Sequence, residues 1–385
     1  MRTPGAAGQT ERMRRDRRAL HRIPEIGREL PKTLAYVREA LRETAPDSLT
    51  DCAGGLKAVY RAGDPLPGAG AVAFRADMDA LPVEEKTGLP FASEHRGAMH
   101  ACGHDGHMAV LLGLARLLGP MRPQLRRDVT LIFQPAEENI GGARRMIDAG
   151  LLEEPHVDEV YGLHLWPGIP QGKYGVAQGS VMSGVGTVDV TVEGVSVHGA
   201  APHTGADCIA AAAQAVLSLQ GALMRTVDAA QPVVFTVGKI SGGTMRNILA
   251  AQVKLECTAR AFSDENMETV LRTAREAFEG ADRLYGTRSQ MDVITRFPPV
   301  VNDARAVARV RAAAGEDAVD FAPVSVGEDF SEYQKERPGA FVFCGVGDTH
   351  PLHSDRFDFD EESLVYGLSL FEKILQEANE NVWTL

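Results

Sequence analysis

Val129-Thr130-Leu131-Ile132-Phe133-Gln134-Pro135-Ala136-Glu137-Glu138 runs from a short, mostly apolar and β-branched stretch to a stop, and then to two carboxylates. A compact run of this kind reads as a buried strand, and Pro135 ends it because proline has no N–H for the ladder. The same order recurs along the chain. Val72-Ala73-Phe74 leads into Arg75-Ala76-Asp77-Met78-Asp79, and Val157 to Leu163 ends on His164. Phe341-Val342-Phe343-Cys344-Gly345 gives way to a loop with His350 and His353. In open parallel sheets chemistry collects outside the carboxyl ends of the strands, and polar residues at four such ends point to that architecture. Helices expected at 105–118, 141–150, 303–313 and 360–378 supply the crossovers. The fold class is therefore α/β, a largely parallel sheet sandwiched by helices.

The middle of the chain has another character. From about Gly186 to Val293 the pattern reads strand (187–193), helix (207–224), strand (233–240), strand (252–262), helix (264–278), strand (290–295). Ser263 with Asp264 and Glu265 makes a good cap and first turn for the second helix. This β-α-β-β-α-β order predicts an inserted ferredoxin-like α+β domain. The expected division is 1–185 with 294–385 as one domain and 186–293 as the insert, whose free sheet edge suits a homodimer. Residues 10–43 read as helical segments broken at Pro24 and Pro31, with His21-Arg22-Ile23-Pro24-Glu25-Ile26-Gly27 as the joint.

Composition narrows the function. The 385 residues leave room for two cores, and a formal net charge of -12 excludes a basic nucleic-acid footprint. No apolar leader follows Met1 and no uninterrupted apolar run reaches about 18 residues. A soluble, cytoplasmic protein without a membrane partner is expected. Five cysteines without framework spacing fit a reducing compartment.

His100-Ala101-Cys102-Gly103-His104-Asp105-Gly106-His107 places a thiol and three imidazoles just before the apolar run from Met108 to Leu118. A thiolate and an imidazole at the mouth of a helix suit a soft or borderline divalent metal. The helix N-terminus is expected to help keep Cys102 ionised. The same pair also suits a structural role or a thiol nucleophile. Counting strand ends and helix starts gives five candidate ligands, Cys102, His104, Glu138, His164 and His353. Five exceed the needs of one tetrahedral ion and suit two ions about 3.5–4 Å apart with Cys102 as the bridge. Glu137, beside a ligand but expected to point elsewhere, fits a general acid/base. His95, His100, His107, His156, His203 and His350 are not counted as ligands, although His107 is placed to orient the Cys102 loop.

Taken together, Arg75 to Pro82, His100 to His107, Phe133-Gln134-Pro135-Ala136-Glu137-Glu138 and Gly162-Leu163-His164 resemble one family in order and spacing. It is the dinuclear-metal amidohydrolase group of hippurate hydrolase, N-acyl-amino-acid amidohydrolases and plant auxin–amino acid conjugate hydrolases, in the clan of aminoacylase and carboxypeptidase G. The resemblance covers nearly the whole chain. It implies the five ligands above, Glu137 as base, two divalent ions per subunit (manganese or zinc, with cobalt also possible) and a dimerisation or lid insert. Within that insert it points to Val197-His198-Gly199, Gly242-Gly243-Thr244-Met245-Arg246-Asn247 and Arg260. It implies that His198 reaches the scissile carbonyl while Asn247 and Arg260 hold a substrate carboxylate. The chain departs from the family pattern at Ile248, at Asp207-Cys208, at Gly327-Glu328-Asp329-Phe330 and at Asp355, all of which bear on substrate preference. The implied activity is hydrolysis of the amide of small N-acyl or N-aroyl amino acids. The rival readings are a dipeptidase or aminoacyl-conjugate hydrolase, a metal-free Cys-His hydrolase, and a non-catalytic binding protein.

Overall fold

A computed structural model describes residues 2–138 and 141–380, and the chain divides into two compact units. The first comprises Met1–Gly179, Val301–Ala322 and Asp329–Leu385, the second Ser180–Val300 and Pro323–Glu328.

The first unit is built on a sheet of eight described strands, in spatial order Ser48–Cys52, Gly55–Tyr60, Val129–Gln134, Ala71–Asp77, Val157–Pro167, Gly339–Gly347, Tyr174–Val176 and Ala318–Asp320. Its four central strands are mutually parallel, so Asp77, Gln134, the His164 region and Gly347 approach one edge. Antiparallel neighbours flank them, Gly55–Tyr60 on one side and Tyr174–Val176 on the other. The central strands are almost wholly buried, which is why they read as continuous apolar runs rather than alternating ones. Helices Pro4–Arg22, Pro31–Arg42, His104–Met121, Ala304–Ala314 and Glu362–Glu380 provide the covering layers. Most of His104–Met121 is buried, since it packs between the sheet and the outer helices Pro4–Arg22 and Glu362–Glu380. The N-terminal helix begins at Pro4 rather than near residue 10, and Pro31 starts the second helix rather than breaking it, because a first-turn proline lacks only an N–H that is orphaned anyway.

The second unit has the sheet order Arg288–Phe297, Gly184–Glu193, Gln252–Ala261, Val233–Gly242, all antiparallel. With helices Cys208–Thr226 and Asp264–Tyr285 on one face, this is the ferredoxin-like arrangement. Val188, Val190, Val192, Leu219, Leu255 and Phe278 lie in its core. Asp207 and Ser263 cap the two helices through their side-chain oxygens. By length and composition Cys208–Thr226 could cross a membrane, yet its Ala211, Ala212, Ala215, Leu219 and Leu223 side is packed on the sheet. Pro323–Glu328, placed by sequence in the larger domain, belongs to the smaller unit. Ser183 N–H donates to Val324 and Val326 carbonyls at 3.2 and 3.1 Å, and Val324 N–H donates to Val181 at 3.0 Å. The expected boundaries 186 and 293 fall within strands Gly184–Glu193 and Arg288–Phe297.

Candidate metal centre

Three local devices aim the donors. Gly103 is the N-cap of helix His104–Met121 at φ 86°, a left-handed turn that only glycine enters without strain, and it turns the chain between Cys102 and His104. Ala136 sits at φ 59° just past the strand end and reverses the chain so that Glu137 and Glu138 follow. Both of their backbone N–H groups donate to the Asp79 carboxylate, at 2.9 and 3.1 Å. His353 is at φ 67°, and its N–H donates to the Ala101 carbonyl at 2.8 Å, which ties the last candidate ligand to the segment of the first.

The five candidate ligands come together. Cys102, His104 and His164 bring one donor atom each within 4.8 Å of one another, and so do Cys102, Glu138 and His353. Cys102 is common to both groups, as a bridging position requires. His104, Glu137 and Glu138 form a third group, so Glu137 does not point elsewhere as the sequence reading had it. Its carboxylate reaches the same cluster.

Hydrogen bonding sets the tautomers. His104 Nδ1 lies 2.8 Å from the Asp79 carbonyl and His164 Nδ1 2.8 Å from the Leu165 carbonyl. Each Nδ1–H donates there, which leaves Nε2 as a lone-pair donor. His107 is spent differently. Its Nδ1–H donates to Asp77 at 2.6 Å and its Nε2 accepts the Leu165 N–H at 3.0 Å, so it braces the residue after His164 rather than the Cys102 loop. His104 Nε2 and Glu138 Oε1 are buried without a hydrogen-bond partner.

Electrostatics set the protonation of the donors in the chain without ions. Burial, reinforced by the Glu138 and Glu137 carboxylates, pushes the Cys102 thiol well above its ordinary value, and the helix N-terminus does not overcome this. Burial pulls His104 down to about 3 and His164 well below its ordinary value. Burial also raises Glu138, and it lifts Asp79 to about 7 against the two backbone N–H donors. Cys102 Sγ stands 3.4 Å from His164 Nε2, the spacing of a thiol–imidazole pair. Both shifts favour the neutral forms, which disfavours a thiolate–imidazolium nucleophile. Orphaned donors, neutral imidazoles and crowded acids are the environment that divalent cations relieve, and the donor set fits them.

A supporting network lies behind the cluster, and sequence reading missed it. Arg75 donates to Asp77 at 2.7 Å, to Gln134 at 2.9 Å and to Asp329 at 3.0 Å. Asp329 also accepts from Gln134 Nε2 and from the Ala143 N–H, and all four side chains are buried. Arg75, Asp77 and Asp329 all stood in quoted motifs, but no spacing links positions 254 residues apart.

His198, Asn247 and Arg260 belong to the smaller unit. His198 Nδ1 accepts the Ala200 N–H at 3.1 Å, and the Gly199 N–H donates to the Asn247 carbonyl at 2.7 Å, so these two exposed loops adjoin. Arg260 is half-buried in strand Gln252–Ala261, donates to Thr258 Oγ1 and the Ala259 carbonyl, and burial lowers its pKa.

Comparison with known proteins agrees with this architecture. The model of peptidase family M20/M25/M40 matches residues 73–377. N-acetyl-L-cysteine deacetylase of Bacillus subtilis (strain 168) is 38% identical over 374 residues, 94% of this chain and 88% of that protein. N-acetyldiaminopimelate deacetylase of Halalkalibacterium halodurans is 36% identical over 356 residues, 91% of this chain and 95% of that protein. The crystal structure of the Bacillus subtilis YXEP protein, described as a dinuclear metal binding peptidase from the M20 family, superposes with a TM-score of 0.85 at 32% identity. It covers 98% of this chain and 100% of that one. The clan matches the motif resemblance, although these relatives are named for deacetylation rather than for hippurate cleavage. The chain belongs to peptidase family M20/M25/M40.

Proposed function

We propose that this M20 enzyme hydrolyses the amide of small N-acyl amino acids, with N-acetyl substrates preferred over N-aroyl ones. The observation that carries the reaction is the pair of donor groups sharing Cys102, with the Glu137 carboxylate in the same cluster. The acetyl preference is supported by relatives named as deacetylases of N-acetylcysteine and N-acetyldiaminopimelate. Cys102, His104, Glu138, His164 and His353 would hold two divalent ions. Thiolate with imidazole favours zinc on softness grounds, and manganese or cobalt also suits the set. Such ions supply Lewis-acid polarisation of the scissile carbonyl and compensate the buried acids.

The chain's own residues do the rest. Glu137 takes the proton released as water adds to the carbonyl carbon and passes it to the amine nitrogen as the C–N bond breaks. A free amino acid and a carboxylic acid leave. Asp79 fixes the Glu137–Glu138 backbone, and His107 with Asp77 fixes the segment behind His164. In the same reading His198 offers Nε2–H to the developing oxyanion, a tautomer supported by the N–H that its Nδ1 accepts. Arg260 makes no ion pair among the described residues, which supports its holding a substrate carboxylate together with Asn247.

The test is a panel of N-acetyl, N-benzoyl and unblocked dipeptide substrates, with metal added or chelated. Glu137→Gln is expected to retain two ions and lose about 10²–10⁴ in turnover. Near-normal turnover in that variant removes Glu137 from the mechanism, and a strong preference for unblocked dipeptides replaces the substrate class.

A homodimer is part of this reading. Val233–Gly242 is an outer strand of its sheet with Val234 and Ile240 exposed, an edge that invites pairing. Helix Cys208–Thr226, which reaches that strand through Gln220 Nε2 on the Phe235 carbonyl at 3.1 Å, exposes Leu217 and Met224 at 73% and 78%. Sedimentation giving the mass of a single 41.4 kDa chain at micromolar concentration would refute it. A cytoplasmic location completes the reading, supported by the five buried, unpaired cysteines.

A further inference from the structure

His21 lies in the last turn of helix Pro4–Arg22, is 1% exposed, and has no part in the chemistry above. Its Nδ1 is 2.8 Å from Asp105 Oδ2 and its Nε2 is 3.3 Å from Glu85 Oε1. A carboxylate at each ring nitrogen requires a hydrogen on both, so the ring is an imidazolium. Burial opposes that charge, but Asp105 and the two hydrogen bonds prevail and raise its pKa to about 9. The ring meets Phe91 in a T-shaped pair with centroids 5.6 Å apart.

Each partner of this ring leads to a different ligand-bearing segment. Asp105 directly follows His104 and also accepts from Arg17 Nε at 3.3 Å. Glu85 organises the loop that runs on to Cys102, accepting the Ser93 N–H at 2.6 Å. Its neighbour Lys86 donates its N–H to the Asp355 carbonyl at 2.7 Å and pairs through Nζ with the Asp355 carboxylate at 2.6 Å, two residues past His353. Arg17, one helical turn before His21, pairs with Asp358 and donates to the Phe359 carbonyl at 3.1 Å, with its guanidinium 3.7 Å over the Phe359 ring. One helix end thus holds the segments that present Cys102, His104 and His353.

We propose that His21 is a positioning residue for the metal centre, a doubly donating clamp that with Arg17 locks the Cys102–His104 loop and the His353 loop in register before an ion arrives. The inference rests on the five-ligand reading given above. It accounts for the His21-Arg22-Ile23-Pro24-Glu25 joint, whose other polar groups brace the same region. The Ala80 N–H donates to the Glu25 carbonyl at 2.8 Å, and His95 Nδ1 donates to the Pro24 carbonyl at 2.7 Å.

The test is Zn2+ affinity, measured by competition with a chromophoric chelator, in the full-length protein. His21→Asn keeps one donor but loses the charge and the second donor, and Glu85→Gln is the milder variant at the other end of the clamp. Each is expected to weaken Zn2+ binding by about 10–100-fold, the scale of outer-shell partners of metal ligands. Met13→Ala serves as the control, because Met13 is buried on the same helix and packs at Gly113, about two turns along helix His104–Met121 from Asp105. It is expected to lower the melting temperature of the metal-free protein while leaving Zn2+ affinity unchanged. Wild-type affinity in both His21→Asn and Glu85→Gln overturns the clamp, as does a loss in Met13→Ala equal to theirs. A wild-type chain that takes up no Zn2+ overturns the metal-centre reading itself, which separates the two failures.

Discussion

Asp79→Asn sets two energies of similar size against each other. The carboxylate is 1% exposed and accepts the Glu137 and Glu138 N–H groups at 2.9 and 3.1 Å. A carboxamide of the same shape accepts one of them and turns an NH2 group toward the other. The loss is one charge-assisted bond and one orphaned buried donor, together about 2–4 kcal/mol. Against this stands the cost of the anion itself. Burial lifts the Asp79 pKa from 3.8 to about 7, which means that carrying the charge costs the metal-free fold about 4 kcal/mol at neutral pH. Asparagine removes that cost. Metal-free stability should therefore stay level or rise by up to about 2 kcal/mol, as read by urea unfolding. Zn2+ affinity should instead fall by about 10–100-fold, because the Glu137–Glu138 backbone keeps only one of its two anchoring bonds and the anion that favoured the cations is gone. A variant with wild-type Zn2+ affinity would refute the assignment of Asp79 as the anchor of Glu137 and Glu138.

Two smaller predictions follow from the same geometry. Ala136→Gly removes the left-handed strain at φ 59° and is expected to stabilise the protein by up to about 1 kcal/mol. A destabilised variant in thermal melts would mean that the residue is not strained. The His21 imidazolium has a folded pKa of about 9, above the ordinary 6.5. Its contribution, on the order of 3 kcal/mol, is fully present below about pH 6.5 and is lost as pH rises through about 9. The stability gap between wild type and His21→Asn in the metal-free state should close over that window, and a gap independent of pH argues against a charged ring.

The parts of this site that were legible in sequence are those that local pattern determines. Short apolar runs ending at Gln134-Pro135, at Asp77 and at His164 announced parallel strands whose ends carry donors, and the β-α-β-β-α-β order of the insert followed from capped helices and alternating strands. Short strands such as Tyr174–Val176 and Ala318–Asp320, three residues each, are too short to carry a period. The raised pKa of Cys102 in the chain without ions was not legible, because a helix N-terminus is a local feature, whereas burial beside Glu137 and Glu138 is set by distant parts of the chain. Arg75 with Asp329, and His21 with Asp105 and Glu85, were invisible for the same reason. Each pairing depends on which loops the sheet order brings side by side.

The two donor groups differ in wetness. Cys102, His104 and His164 are sealed from solvent, whereas in the other group Glu138 is partly covered and His353 has 54% of its side chain in water. Ions held by such unlike nests would exchange at unlike rates. The outer one would be stripped first by a chelator and restored first by added salt of the metal, so purified protein would carry between one and two equivalents. Turnover would then track the refilling of the leakier position.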